Sequence, residues 1–433
     1  MFNGDIPTDK NYSTDVIIIG GGPAGSALGA YLSLAGIDNI IFEKAMHPRP
    51  HVGESLVPST TRIFKDIGFL ETMEREGFVK KYGASWHPPS RQNQFDIEFR
   101  EFPQEGVDQD YTYHVNRGKF DMLLLHHARS LGSKVYQGIH VKEVLFKNDY
   151  ACGVMFKIGN QAFRISAKMV VDATGRDTII GRQLKIKKKD PIFNQYAVHA
   201  WFENVGKGIG ASQEYIHIYF LPVERGWVWQ IPITDKITSI GVVVEKDVFK
   251  QSKLGIEQYF DKHINSNADL AIAMQNARRV NEFKTEGDYS YSMKKFVGNG
   301  FLLVGDAARF VDPIFSSGIS VALYSAKFAS EQIRESLKSG DLSEKALLPY
   351  EEKLRSGVEI WYEFIRLYYK LLHLFTYFIQ KEEHRLEVLQ LLQGDVYNRK
   401  EAPVLQAMRD FIEKIESSDN HLFKQHLTNI SLD

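Results

Sequence analysis

The sequence predicts an α/β protein in three parts: a parallel-sheet core, an antiparallel sheet inserted into it, and a helical C-terminal region. Three observations predict this. Residues 15–45 read as apolar strand, glycine-rich turn, helix and strand. Residues 191–295 alternate in the manner of β-strands. From Glu344 to Leu427 the apolar period becomes that of a helix.

The N-terminal unit is the most specific. Asp15–Ile19 is a continuous apolar run, as in a strand buried on both faces. A helix is expected over Pro23–Ala35, with Gly36 at its C-terminal cap. Asn39–Glu43 is the second strand. Gly20, Gly22 and Gly25 occupy the three positions of G-x-G-x-x-G, with Pro23 and Ala24 opening the helix. The first glycine makes a tight turn, the second lets backbone approach a pyrophosphate, and the third lets helix pack closely on strand. The helix N-terminus offers unpaired N–H groups and partial positive charge to phosphates. Glu43, with Lys44 beside it, ends the second strand where an acid binds ribose hydroxyls, which argues against a 2′-phosphate there. Together these residues predict a Rossmann-type nucleotide-binding core.

Further along, Arg117–Leu131 reads as an amphipathic helix. Tyr136–Lys142, Glu143–Phe146 and Ala151–Lys157 read as a meander, and Lys168–Ala173 as a buried strand ending at Thr174-Gly175. Ala197–Phe202, Glu214–Phe220, Gly226–Pro232 and Ile237–Val244 suit an antiparallel sheet. Gly300–Val304 returns to the apolar-strand pattern. The pieces near residues 20, 173 and 305 must converge in space. The expected division is 14–190 for the first part of the nucleotide-binding domain and 191–295 for the inserted antiparallel, substrate-binding sheet. Residues 296–340 form the return segment and 341–433 a helical cap.

A net charge of −1 removes any general attraction to nucleic acid or an anionic membrane. The run Lys185–Lys189 reads as a solvated loop. The single cysteine, Cys152, rules out an intramolecular disulfide and suits a reducing compartment, so a cytoplasmic location is expected. The polar N-terminus lacks the order of a signal peptide, and no apolar run is long enough for a transmembrane helix. The histidines show no metal-ligand spacing, so no metal is expected.

Three later segments decide the nucleotide. Val171-Asp172-Ala173-Thr174-Gly175-Arg176 and Phe301-Leu302-Leu303-Val304-Gly305-Asp306-Ala307-Ala308 resemble two flavin motifs of the flavoprotein monooxygenase superfamily. Arg117, in Arg117-Gly118-Lys119-Phe120-Asp121, matches that family's arginine near the isoalloxazine ring. The resemblance implies FAD, with Asp306 on the ribityl chain. Within the superfamily the chain resembles the flavin-dependent halogenases. The residues are Trp227-Val228-Trp229-Gln230-Ile231-Pro232, then Phe310 to Gly318 with Pro313, Ser316 and Ser317 and the following Ile319. To these are added the turn Val52-Gly53-Glu54-Ser55 and the stretch Lys81-Tyr82-Gly83-Ala84. The resemblance covers residues 14–330 well and the tail poorly.

That resemblance implies a reaction in which reduced FAD, O₂ and chloride or bromide give hypohalous acid. Halide would be held by backbone N–H groups near Ser316, Ser317 and Gly318. Lys81 would hold or trap the halogen and pass it to an electron-rich ring. Trp227 and Trp229, on one face of a strand by alternation, would both pack and keep organic substrate away from the flavin. Lys81 beside Gly83-Ala84, in a frame shorter than that of tryptophan halogenases, points to phenols or carrier-bound pyrroles. The glutamate that tryptophan halogenases pair with their lysine has no counterpart that can be placed. The aspartate-glycine element by which hydroxylases contact NADPH is replaced by Asp172-Ala173-Thr174-Gly175, so a separate NAD(P)H flavin reductase is expected as partner. The alternatives are a hydroxylase, dehydrogenase or isoprenoid reductase of the same fold, or a non-catalytic flavin sensor. The aromatic tail from Trp361 to Phe378 reads as a helical cap, or as a lid or dock for a carrier protein or membrane surface.

Overall fold

A computed structural model describes residues 12–432 apart from 89–93, 105, 208–212, 288–289, 373, 398–401 and 419–420. Its first sheet has eight strands. Five run parallel in the order Phe301–Leu303, Gln161–Asp172, Ser13–Ile19, Asn39–Glu43 and Lys134–Gln137. Val16 to Ile19 are buried without alternation, as expected where both faces are covered. The helix Pro23–Leu34 follows the glycine turn and ends into Gly36, whose φ is +72°. It packs against the helix Arg117–Ser130 and the long helix Ser317–Ser339. The register sets Ile19 opposite both Phe42 and Asp172, and Asp172 opposite Leu303. The loops after these four strands therefore open at one edge, and the sequence pieces near residues 20, 173 and 305 meet there.

The second sheet also has eight strands. Its spine is Gln195–Glu203, Ile237–Glu245, Trp227–Pro232 and Ile216–Phe220, all antiparallel. Two further strands join it, Gly83–His87 and Phe95–Glu98. Gly83–His87 runs parallel to Ile216–Phe220. This departs from the expectation that everything before residue 190 lies with the nucleotide-binding part. The reason is physical: Ala84 and Trp86 are buried in the main core, and the strand that carries them pairs with Ile216–Phe220 of the second sheet. A second departure is helical. Lys246–Ser252, Ile256–Ile264 and Ala268–Met274 interrupt the stretch read as wholly β, and Tyr259, Phe260, Ile264 and Leu270 pack them on the sheet's outer core. The run Tyr136–Lys142 is two strands broken at Gly138, where φ is +77°. Lys187–Lys189, read as loop, is an exposed strand paired with Tyr291–Met293.

The C-terminal region is helical at Glu344–Lys370, Thr376–Gln380, Glu382–Leu392 and Pro403–Glu416. Trp361, Phe364, Tyr368, Tyr369, Phe375 and Phe378 are buried in the main core. Cys152 is half-buried and donates its thiol hydrogen to the Leu145 carbonyl at 3.4 Å. Among the described residues, no helix is long and apolar enough to cross a membrane.

Gly25 shows how tight the first turn is. A Cβ there would stand 2.0 Å from the Gly20 carbonyl oxygen. Gly25→Ala must shift the helix from the strand, at a cost of about 1–3 kcal/mol for overpacking. Thermal unfolding is expected to move down by several degrees.

Candidate functional site

The open edge of the first sheet forms one wall of a cavity of about 620 Å³. Gly20, Gly22, Pro23 and Ala24 line it from the first turn, and Glu43 and Lys44 from the second strand. Gly53, Glu54 and Ser55 line it from the next loop, with Arg117 beside them. Ala173 and Gly175 contribute from the third loop, and Asp306, Pro313, Gly318 and Ile319 from the fourth. Trp227 and Trp229 close the side facing the second sheet.

Several predicted residues act elsewhere. Asp172 spends both carboxylate oxygens on its own loop: Thr174 N–H and Oγ1 donate at 3.0 and 2.6 Å, and Ile180 N–H at 2.8 Å. Gly25 is a packing residue. Gly305 donates its N–H to Ser325 Oγ at 2.8 Å and does not line the cavity. Ser317 is buried at the helix start, while its neighbour Ser316, with φ of +57°, reaches the lumen.

The lining fits a flavin dinucleotide. The helix Pro23–Leu34 has no side-chain cap at Gly22, so its first N–H groups face the lumen unpaired by side chains. A Cβ on Gly20 would collide with the Ala173 carbonyl at 2.3 Å, whereas one on Gly22 meets only Arg49 at 3.5 Å and would fill the cradle. Glu43 is held ready by Gly21 N–H at 2.7 Å and Ala45 N–H at 2.8 Å. Arg117 is clamped by Asp121 at 2.8 and 3.1 Å and by the Val52 carbonyl at 2.6 Å. Burial pushes the Asp306 carboxyl up to about 6, against the opposing charges of Arg176 and Arg117. Burial likewise pushes Glu54 up to about 7, against the nearby Ser239 hydroxyl, the Trp201 indole N–H and the charge of Arg117. Its Oε1 accepts from Trp201 Nε1 at 2.7 Å, while its buried Oε2 has no partner. A polar atom left so inside a cavity is available to a ligand.

Both indoles are fixed. Trp229 Nε1 donates to Ser239 Oγ at 3.1 Å. Trp227 Nε1 donates to Tyr369 Oη at 2.9 Å, and Tyr369 in turn donates to Asp312 Oδ1 at 3.1 Å. The rings lie 6.0 Å apart. The sequence places Asp312 inside the Phe310–Gly318 element and Tyr369 in the aromatic tail without a site role for either, and does not single out Trp201, because their partners are more than fifty positions away.

Lys81 lies in a second, small cavity of about 20 Å³ with Ala84, Trp86, Ile97, Phe99 and Phe315. Ile216 and Ser316 line both cavities. Lys81 is 3% exposed, and its Nζ donates to the Leu56 carbonyl at 2.9 Å. Burial alone lowers its pKa to about 7. Lys80, next to it, is half-exposed and paired with Glu74 at 3.2 Å.

The chain matches the family model for the FAD binding domain over residues 13–359. It is 47% identical to the 1H-pyrrole-2-carbonyl-[peptidyl-carrier protein] chlorinase of Pseudomonas fluorescens Pf-5 over 438 aligned residues, covering 97% of each chain. This chain belongs to the flavin-dependent halogenases. It is 30% identical to the corresponding brominase of Pseudoalteromonas luteoviolacea, over 88% of this chain and 92% of that one. Among solved structures, the flavin-dependent brominase Bmp2 superposes with a TM-score of 0.85 at 28% identity, over 94% of this chain and 99% of that chain. The halogenase is thus an FAD-dependent oxidoreductase-type enzyme with a Rossmann-type core.

Gly22→Val should leave the protein folded but fill the pyrophosphate cradle. Loss of FAD retention with unchanged far-UV circular dichroism is the expected outcome, and normal flavin absorbance after gel filtration would contradict it.

The Lys81 amine also leaves a signature in stability. Its folded pKa near 7 lies below the unfolded 10.5. Between these values the unfolded chain binds more protons, so this group makes stability rise with pH. Lys81→Met should therefore be more stable than wild type at pH 7, by on the order of 3–5 kcal/mol before packing losses. The difference should vanish as pH approaches 10.5 in denaturant titrations.

Proposed function

We propose that this halogenase acts on a pyrrole ring held as a thioester on a carrier protein, and that Lys81 carries the halogen to it. The observation behind the lysine role is its placement: an uncharged-capable amine buried one wall away from the cofactor cavity, with Ser316 and Ile216 forming that wall. The carrier-bound substrate is supported by the Pseudomonas chlorinase, whose similarity runs over 97% of both chains.

In this reading Gly20, Gly22, Glu43, Arg117 and Asp306 hold FAD. The chemistry that FAD supplies when bound is activation of O₂ and oxidation of halide to hypohalous acid. The N–H groups of Ser317 and Gly318 at the start of the helix Ser317–Ser339 hold the halide, since Ser316 supplies no side-chain cap. Trp227 and Trp229, locked by their hydrogen bonds, bar a substrate ring from the flavin. Only a small reagent passes to Lys81. Burial keeps part of the amine neutral at pH 7 and therefore nucleophilic. A separate reductase supplies reduced flavin, and the enzyme works in the cytoplasm.

With flavin reductase, NADH, O₂ and chloride or bromide, a pyrrolyl carrier protein should gain the halogen isotope pattern, and free pyrrole-2-carboxylate should not. A gain of one oxygen, whichever halide is present, would mean hydroxylation instead. Lys81→Ala should keep FAD binding and release hypohalous acid to a trapping dye. Its ring halogenation should fall by roughly a hundredfold or more, because positioning of the reactive atom is lost. Lys80→Ala should be mild.

A further inference from the structure

A buried amine that attacks an electrophile must shed a proton, and solvent scarcely reaches Lys81. The strand Val79–Lys81 pairs with Thr112–His114 in antiparallel register, Val79 opposite His114 and Lys81 opposite Thr112. Ser55 bridges to His114 from the other side. Residues two apart share a face, and directly opposed residues share it as well. Ser55, His114 and Lys81 therefore stand on one face of a three-strand patch, with Lys81 diagonal to His114. Such diagonal neighbours lie about 7–8 Å apart at the backbone, within reach of long side chains. Ser55 lines the cofactor cavity and Lys81 the second one, so His114 stands between the two.

The histidine is built for one role. It is fully buried, and its Nε2 lies 3.1 Å from the Glu214 carbonyl. A carbonyl only accepts, so Nε2 carries the hydrogen and Nδ1 bears the lone pair. Nδ1 is buried without a hydrogen-bond partner, and so is Ser55 Oγ. The titratable groups facing the ring are Lys81 and His217, the latter on the strand Ile216–Phe220. Burial depresses its pKa most, and the charges of Lys81 and His217 oppose a proton on it as well. The imidazole is thus an uncharged base throughout the neutral range.

We propose that His114 is the base that relays the proton of Lys81, the part for which no glutamate could be placed in the sequence. The inference rests on the reading of Lys81 as halogen carrier. As the amine attacks hypohalous acid, the N–halogen bond forms and the halogen–oxygen bond breaks. One proton of the amine passes through Nδ1 to the departing hydroxide, leaving water. In the second step the carbon–halogen bond forms and the N–halogen bond breaks. The proton of the ring carbon returns through Nδ1 to the Lys81 nitrogen. The halogen keeps its oxidation level until it reaches carbon, and His114 ends as it began.

Cyanate tests the relay without any flavin chemistry. The neutral amine adds to cyanic acid, forming an N–C bond as a proton moves from the amine to the cyanate nitrogen. Peptide mass spectrometry reads the rate at Lys81, with Lys80 as internal reference. His114→Gln keeps a donor for the Glu214 carbonyl but removes the basic lone pair. Carbamylation of Lys81 should slow roughly tenfold or more while Lys80 is unchanged. Halogenation should fall by a similar factor. In His114→Ala, imidazole should restore both rates, and thiazole, of similar shape but far less basic, should not. Rates in His114→Gln within twofold of wild type, or rescue by thiazole equal to that by imidazole, would overturn the relay. Unfolding of the first variant would show as Lys81 reacting like an exposed lysine, and His114→Asn then takes its place. Wild type that shows the cyanate effect yet halogenates nothing would refute the proposed function and leave the base assignment standing.

Discussion

The fold hangs on two contacts with no room for a side chain. The carbonyl of Ala173 lies against Gly20, and that of Gly20 against Gly25, at distances of 2.3 and 2.0 Å from where a Cβ would stand. The first contact ties the loop after Ser13–Ile19 to the loop after Gln161–Asp172. The second ties the same loop to the helix behind it. Asp172 reinforces the junction by organising Thr174 and Ile180 around its carboxylate. The Val304 N–H adds a bond of 2.9 Å to the Asp172 carbonyl, bringing in the fourth segment. Pieces of chain 132 and 153 positions apart are thereby held at one edge of one sheet, and the cofactor cavity exists because of it.

The second sheet makes use of that edge. Trp227 and Trp229 stand on one strand, but each indole nitrogen is fixed by a different part of the molecule. Ser239 on the neighbouring strand holds one, and Tyr369 on the helix Glu344–Lys370 holds the other. Asp312, one residue before Pro313, accepts from Tyr369, and its acid is pushed up to about 7 by burial. The helix Glu344–Lys370 therefore helps to fix the indole wall of the cavity. Hydrogen-bonded indoles cannot swing aside without leaving buried donors unpaired, at about 1–3 kcal/mol each. Such rigidity suits the proposed role of the two indoles in barring a substrate ring from the flavin.

The division between what the sequence reveals and what it hides follows the range of the interactions. The turn at Gly20, the acid at Glu43 and the helix start at Ser317 are local: glycine spacing, strand ends and helix caps leave marks within a few residues. The strands of the second sheet were legible by alternation. The parallel addition of Gly83–His87 was not, because nothing local distinguishes a strand of one sheet from a strand of another. Asp172 matched a flavin motif yet serves its own loop, since a motif records that an acid is needed and not which way it points. Trp201 and His114, and the partnership of Tyr369 with Trp227, escape the sequence for the same reason. Each works through a partner brought near only by the fold. The signal that would have found His114 is its place in Tyr113-His114-Val115, a polar residue between two apolar ones.

Burial explains why an amine suits the second cavity. A carboxylate there would be driven to its neutral acid and cease to be a nucleophile, because desolvation disfavours whichever form is charged. For lysine the same desolvation favours the free base, so the environment that would silence an acid activates the amine. The Leu56 carbonyl orients Nζ without adding charge, and no shift toward protonation comes from a neighbouring acid, since burial is the cause of the depression. An acidic partner at this spot would raise the pKa and undo the effect. A histidine neighbour escapes that conflict. Its own burial keeps it neutral, it offers a lone pair, and any proton it accepts is repelled by a charged Lys81. In the proposed relay, Lys81 and His114, diagonal on one buried face, form a pair in which neither holds a proton firmly, the condition for passing one quickly.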